Sequence, residues 1–154
     1  MVASPQQPIN YLLDTNILVA YIRAGKIGEH VESKYHFRCS PNKPMISIVS
    51  AGEILSLAKK LNWGGGKQSL IKELLEEFVI VDLNSPDIWG AYAEADYFCE
   101  KECKPAEKIG KNDLWIAATA KVLRATLLTT DKHFDKFHPQ MLTRNYINPE
   151  NFRE

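Results

Sequence analysis

Four acidic residues, Asp14, Glu53, Asp113 and Asp131, each fall at or within one helical turn of a junction between an apolar run and a helical pattern. Asp14 closes the run Tyr11-Leu12-Leu13 and is followed by Thr15 and Asn16. Asn112 precedes Asp113, and Thr129 and Thr130 precede Asp131. Amide and hydroxyl side chains beside a carboxylate can orient it, so Asn16, Asn112, Thr129 and Thr130 are supporting candidates. Four ionised carboxylates in one pocket would repel, each close pair by about 4 kcal/mol at an effective dielectric near ~20. Protonation or a bound cation relieves such repulsion. All-oxygen ligation suits Mg²⁺ or Mn²⁺, ions that retain waters and pair with phosphate. The chemistry open to such a pocket is activation of a water and stabilisation of charge on phosphoryl and leaving oxygens.

Each acid also has a purely structural account. Asp14 could cap a helix starting at Thr15, and Asp131 could cap Lys132–Phe137. Ser50-Ala51-Gly52-Glu53 matches a capping box, which would turn Glu53 back onto its own helix start. Asp113 is favoured near a helix N-terminus by the macrodipole. Residue types alone leave both accounts standing, and Glu53 is the least secure of the four.

The elements that must position these acids follow from hydrophobic periodicity. Strands are expected at 9–14, 45–48, 78–83 and 126–130, with a further short one near Met141–Thr143. Helices are expected over Thr15–Arg23, ended by Gly25, and over Ile27–Phe37, Ser50–Leu61 and Lys67–Glu77. A long helix should run from Ser85 (N-cap) and Pro86 to about Cys103, and another over Asn112–Arg124. Lys104–Lys111 reads as a loop. Strands alternating with helices argue for a parallel sheet covered on both faces. In such sheets sites form beyond the carboxyl ends of the strands, where Asp14, Glu53 and Asp131 are expected. Asp113 joins them only if the preceding loop brings its helix to the same edge.

A chain of 154 residues suits one domain, with 1–8 and 145–154 read as tails. At 45% hydrophobic and 25% charged the composition is that of a globular protein, and no apolar run reaches the roughly 20 residues a membrane span needs. The start, MVASPQQPIN, has neither basic patch nor apolar core, so no secretory signal is expected. Three cysteines are read as free thiols in a reducing cytoplasm. Formal charge is zero overall, but residues 1–100 carry 9 Lys/Arg against 12 Asp/Glu, whereas residues 101–144 carry 9 against 5. The basic stretch could attract phosphate, but a solvated helix face with its loops is the simpler account, so charge does not identify a partner.

The segments LLDTNILVAYI (12–22), SIVSAGEI (47–54), IGKNDLWIAATA (109–120) and ATLLTTDKHFDKF (125–137) resemble, in order and spacing, the signature blocks of PIN-domain nucleases. The nearest likeness is to VapC-type toxins of toxin–antitoxin pairs. The resemblance implies a three-layer α/β/α PIN-like fold with a central parallel sheet of four to five strands. It implies that Asp14 and Asp113 are the principal metal ligands and that Glu53 and Asp131 complete the site. It further implies Mg²⁺- or Mn²⁺-dependent endoribonuclease activity leaving 5′-phosphate and 3′-hydroxyl ends, a small antitoxin partner and often a homodimer. Lys132 and His133 depart from the family's usual mixture beside the last acid, the Trp63-Gly64-Gly65-Gly66 loop looks particular to this chain, and nothing diagnostic lies in 145–154.

Other features read as structural. Cys99 and Cys103 share a helical face but lack a compact Cys/His pattern, so they are expected in the core. Gly64–Gly66 lacks the Lys-Ser/Thr of a phosphate loop and reads as a flexible helix break. Trp89 and Trp115 are expected to pack inside, and Trp63, near Lys59, Lys60 and Lys67, could either pack or stack on RNA. A non-catalytic binding module on the same fold is the principal alternative. An aspartyl-phosphate receiver or phosphatase is disfavoured because position 16 is Asn and no acidic pair precedes the first strand.

Overall fold

The computed structural model describes residues 8–103 and 108–153. Five parallel strands form the sheet in the order β3-β2-β1-β4-β5: β1 (Tyr11–Leu13), β2 (Met45–Ser47), β3 (Val79–Val81), β4 (Thr126–Thr129) and β5 (Thr143–Tyr146). Six α-helices connect them among the described residues: α1 (Thr15–Arg23), α2 (Lys26–Tyr35), α3 (Ile48–Lys60), α4 (Gly65–Glu77), α5 (Pro86–Tyr97) and α6 (Lys111–Leu123). A π turn at Phe98–Glu102 extends α5, and 3₁₀ turns occupy Lys132–Phe137 and Pro149–Phe152.

Strand alternation splits the core into two layers. Leu13 and Leu128, paired in register, face α1, α3 and α4 with Ile17, Leu18, Ile54 and Leu74. Their neighbours Leu12 and Leu127 point the other way, against Leu114, Ile116 and Ala117 of α6 and Phe134 and Phe137 of the 3₁₀ turn. All four strand leucines are completely buried, as a sheet covered on both faces requires. The architecture is therefore the expected three-layer α/β/α sandwich.

The chain leaves β1 towards β2 and β3, then crosses back to β4 and β5 on the other side. This reversal opens a crevice at the carboxyl ends of β1 and β4, the position α/β sheets use for ligands. At the far end of α1 the packing is tight. A Cβ on Gly28 would lie 2.5 Å from the Ala20 carbonyl oxygen, so the contact between α1 and α2 requires glycine there.

Several local expectations are corrected. Ala24 (φ 51°), not Gly25, takes the left-handed position that ends α1, while Gly25 is extended and begins α2. Gly65 and Gly66 lie in the first turn of α4 and Gly64 is its N-cap, so the glycine run starts a helix instead of breaking one. Ser85 precedes α5 with extended backbone and accepts the Trp89 N–H through its carbonyl, but its hydroxyl makes no capping bond. The last strand lies at Thr143–Tyr146, beyond the expected Met141–Thr143, and Ile147 after it is buried. Residues read as the start of a C-terminal tail thus complete the sheet edge. Of the expected N-terminal tail and the 104–111 loop, residues 1–7 and 104–107 lie outside the described residues.

Among the aromatic residues, Trp63 is buried in the first core layer, with the Lys67 ammonium 5.3 Å from its ring centroid. Trp115 packs on Tyr92 with centroids 4.1 Å apart. Trp89 departs from the expected interior position. It is 50% exposed and donates its indole N–H to the Leu83 carbonyl at 2.6 Å. Its apolar neighbours in sequence lie on the buried side of α5, which left the indole on the outer face. Cys99 is buried in the second core layer and Cys103 is half-buried; neither forms a disulfide.

Candidate active site

Asp14 sits at the end of β1, 3% exposed, and its side-chain Oδ1 accepts the Thr15 N–H at 2.8 Å. Its Oδ2 accepts the Thr129 hydroxyl at 2.8 Å from the neighbouring strand. The register that sets Leu13 beside Leu128 puts the next residues of β1 and β4 side by side, on the face opposite those leucines. Asp14 is therefore both the cap of α1 and a buried carboxylate in the crevice. The capping account and the site account are not alternatives here.

Thr129 relays the arrangement onward. Its Oγ1 accepts the Asp131 N–H at 2.9 Å while donating to Asp14, so one hydroxyl locks two acids. Asp131 in turn caps the 3₁₀ turn, accepting the His133 N–H at 2.8 Å through Oδ1. That fold-back carries the His133 ring over the same carboxylate, with Nδ1 3.2 Å from Asp131 Oδ1. Asp113, in the first turn of α6, comes to the same place. Asp113, Asp131 and His133 each present a ligand atom, and these lie within 4.8 Å of one another.

Glu53 approaches from the opposite core layer. The Thr15 hydroxyl lies 2.8 Å from both Ser50 Oγ and Glu53 Oε1, linking the start of α1 to α3. The expected capping box does not form. α3 begins two residues before Ser50, at Ile48, and its cap is Ser47, whose hydroxyl accepts the Val49 N–H at 3.1 Å. Ser50, completely buried in the first turn, and Glu53, half-buried one turn on, are free of capping duty.

The electrostatics show that the acids share one environment. Burial raises the Asp14 carboxyl to about 7, with the Asp113 and Asp131 charges adding to the rise against the Thr129 and Thr15 hydrogen bonds. Burial likewise raises Asp113 to about 6, reinforced by Asp131 and Glu53 and opposed by His133. Clustered carboxylates with disfavoured charge are the environment a divalent cation relieves.

The supporting residues divide. Thr129 makes the contacts just described. Asn16 is exposed on α1 and lines, with Thr130, a cleft that also includes Arg23, Lys26, Phe152 and Arg153. Asn112, exposed in the first turn of α6, lines a shallow cleft beside Glu53. In the sequence His133 is a basic residue flanking the last acid and one of four histidines without a compact Cys/His pattern; the fold sets it beside Asp113 and Asp131. The signal that could have found it is the Asp-x-His spacing, since an Asp side chain that accepts the N–H two residues on turns that residue back over itself.

The family model described as the PIN domain matches residues 11–138. No curated protein matches the chain by sequence. Among solved structures, VapBC2 from Rickettsia felis, bound to a DNA fragment from its promoter, aligns over 91% of this chain and 100% of its own at 26% identity and a TM-score of 0.72. VapBC-1 from nontypeable Haemophilus influenzae aligns over 90% of this chain and 98% of its own, at 26% identity and a TM-score of 0.67. A toxin–antitoxin complex from Klebsiella pneumoniae aligns over 90% and 100%, at 25% identity and a TM-score of 0.60.

Proposed function

The chain belongs to the PIN domain family, and on that premise we propose that it is a divalent-metal-dependent endoribonuclease, the toxin of a type II toxin–antitoxin pair. The observation that carries the reading is Asp14: a carboxylate at the β1–β4 crevice raised first by its burial and further by the charges of Asp113 and Asp131. A buried, hydrogen-bonded acid among other acids is poorly explained by folding alone, because like charges there cost stability.

Asp14, Asp113 and Asp131, with Glu53 at the margin, would hold Mg²⁺ or Mn²⁺. Bound there, the ion supplies Lewis-acid stabilisation of the phosphoryl and leaving oxygens and makes water a better nucleophile. The chain's own part is orientation. Thr15 N–H and Thr129 Oγ1 each occupy one lone pair of Asp14, fixing the carboxylate while leaving lone pairs for a cation. Thr15 holds Oε1 of Glu53 and leaves Oε2 to position a water. Hydrolysis then breaks the P–O3′ bond, water supplying the hydroxyl that completes the 5′-phosphate and the proton that completes the 3′-hydroxyl.

RNA as substrate is supported by the lining beside these acids. The cleft of about 670 Å³ that holds Asn16 and Thr130 also presents Arg23, Lys26 and Arg153, suited to phosphate, with Phe152 as an aromatic surface. An antitoxin partner is supported by the solved relatives, which are toxin–antitoxin proteins. It is also supported by a cleft of about 680 Å³ between α3 and α4, lined by Leu55, Ile71 and Leu75. A homodimer is what the resemblance implies, and sedimentation of the purified chain tests it. No helix among the described residues is long and apolar enough to cross a membrane.

The test is cleavage of single-stranded RNA by the purified chain with Mg²⁺ or Mn²⁺, with and without chelator, beside Asp14→Asn and Asp113→Asn. Metal-dependent cleavage lost in both variants is expected. Equal cleavage by the variants overturns the mechanism, and metal binding without any cleavage favours a non-catalytic module.

A further inference from the structure

We propose that His133 is a nitrogen ligand to the divalent ion held by Asp113 and Asp131, and that it biases the site towards Mn²⁺ over Mg²⁺. The inference rests on the metal-dependent reading above and assigns a residue outside the four acids.

The geometry comes first. Two ligands in adjacent positions of an octahedron with bonds of about 2.1 Å stand about 3.0 Å apart. His133 Nδ1 and Asp131 Oδ1 are 3.2 Å apart, close to that edge. The Asp113 carboxylate lies within 4.8 Å of both partners, within reach of the same ion. Little movement of the ring is required, because the His133 backbone is already pinned to Asp131 by its own N–H. The turn that pins it is anchored in the core through Phe134 and Phe137, both essentially inaccessible to solvent.

The exposure of the ring fits a ligand better than a structural pair. The His133 side chain is 67% exposed, so its contact with Asp131 is screened by solvent and of little worth to the fold. A neutral imidazole with one lone pair towards the carboxylates and its N–H towards solvent supplies what an acid pocket lacks, a donor that adds no negative charge. Replacing one oxygen by imidazole nitrogen penalises hard Mg²⁺, while Mn²⁺ accepts a mixed set of carboxylate, water and imidazole.

The experiment uses the whole chain, stripped with chelator and titrated calorimetrically with MnCl₂ and with MgCl₂, beside His133→Ala. Pulsed electron paramagnetic resonance of the Mn²⁺-loaded wild-type protein reads the ligand directly. The expected results are a ¹⁴N coupling to Mn²⁺ that vanishes in H133A, and a Mn²⁺ affinity that falls roughly tenfold or more while Mg²⁺ affinity changes far less. Mn²⁺ bound without a ¹⁴N coupling overturns this inference and leaves the four-acid site standing. Equal losses for both ions overturn the Mn²⁺ bias. Absence of binding by either ion overturns the inference and the metal-dependent reading together. The spectroscopic readout needs no variant, so misfolding of H133A cannot obscure it.

Discussion

Thr129 Oγ1 donates to Asp14 Oδ2 at 2.8 Å across the join of β1 and β4, connecting residues 115 apart in the chain. The same oxygen accepts the Asp131 N–H, so the end of β4 is clamped to the end of β1 through one completely buried hydroxyl. Thr129→Val keeps the shape and deletes the hydroxyl, leaving the Asp131 N–H without this acceptor and Asp14 with one bond fewer. It should cost about 1–3 kcal/mol in urea unfolding and lower RNA cleavage at least about tenfold. Thr129→Ser should recover most of both. If valine cleaves as well as threonine, the hydroxyl does not orient the acids.

Metal-free stability should fall as pH rises. Asp14 titrates near 7 in the fold against an ordinary 3.8, and Asp113 is raised to about 6. Between those values the folded chain holds protons that the unfolded chain has released, so stability declines with increasing pH and the loss is complete above the folded pKa. Urea unfolding with chelator should show wild type about 1–3 kcal/mol more stable near pH ~5 than near pH ~8 relative to Asp14→Asn, which lacks the titrating group. Millimolar Mn²⁺ should abolish that relative slope. A relative slope of opposite sign refutes the assignment.

Glu53 and Ser47 should separate chemistry from capping. Ser47→Ala removes the cap of α3 and should destabilise by about 1 kcal/mol. Glu53→Gln retains an oxygen for the Thr15 hydroxyl and should unfold within about 0.5 kcal/mol of wild type while losing cleavage activity. A Glu53→Gln protein that is unstable yet fully active would return Glu53 to a structural role.

The contact between α1 and α2 is tested by Gly28→Ala. The added methyl meets the Ala20 backbone at 2.5 Å, and backbone cannot swing aside. A loss of about 1–3 kcal/mol is expected by chemical denaturation, against the gain that alanine normally brings to a helix interior. Unchanged or increased stability would show that the two helices are free to separate.

Legibility in the sequence tracked how local each cause was. The leucine runs, the helix at Thr15–Arg23 and the positions of all four acids follow from periodicity and from residues a few places apart. The Ser50 capping box failed because two serines, Ser47 and Ser50, competed for one helix start. The strand's register, not the local motif, chose Ser47. Trp89 stands outside despite its apolar sequence neighbours because they mark one face of α5 and the indole stands on the other. β5 lies beyond the apolar Met141–Leu142 because Thr143–Tyr146, polar for a strand, is held as an edge by pairing with β4.

By itself the sequence determined an alternating α/β chain with carboxylates at strand ends, since side-chain period and junction chemistry are local properties. Only the tertiary structure decided that these acids meet. Convergence depends on the strand order β3-β2-β1-β4-β5, which places β1 against β4 although most of the chain lies between them. It also brings Asp113, on a separate helix, to that edge and within reach of Asp131, over which a local turn folds His133. Burial and mutual repulsion, the properties that raise Asp14 and Asp113 and make the crevice receptive to a cation, exist only once distant segments share one low-dielectric space.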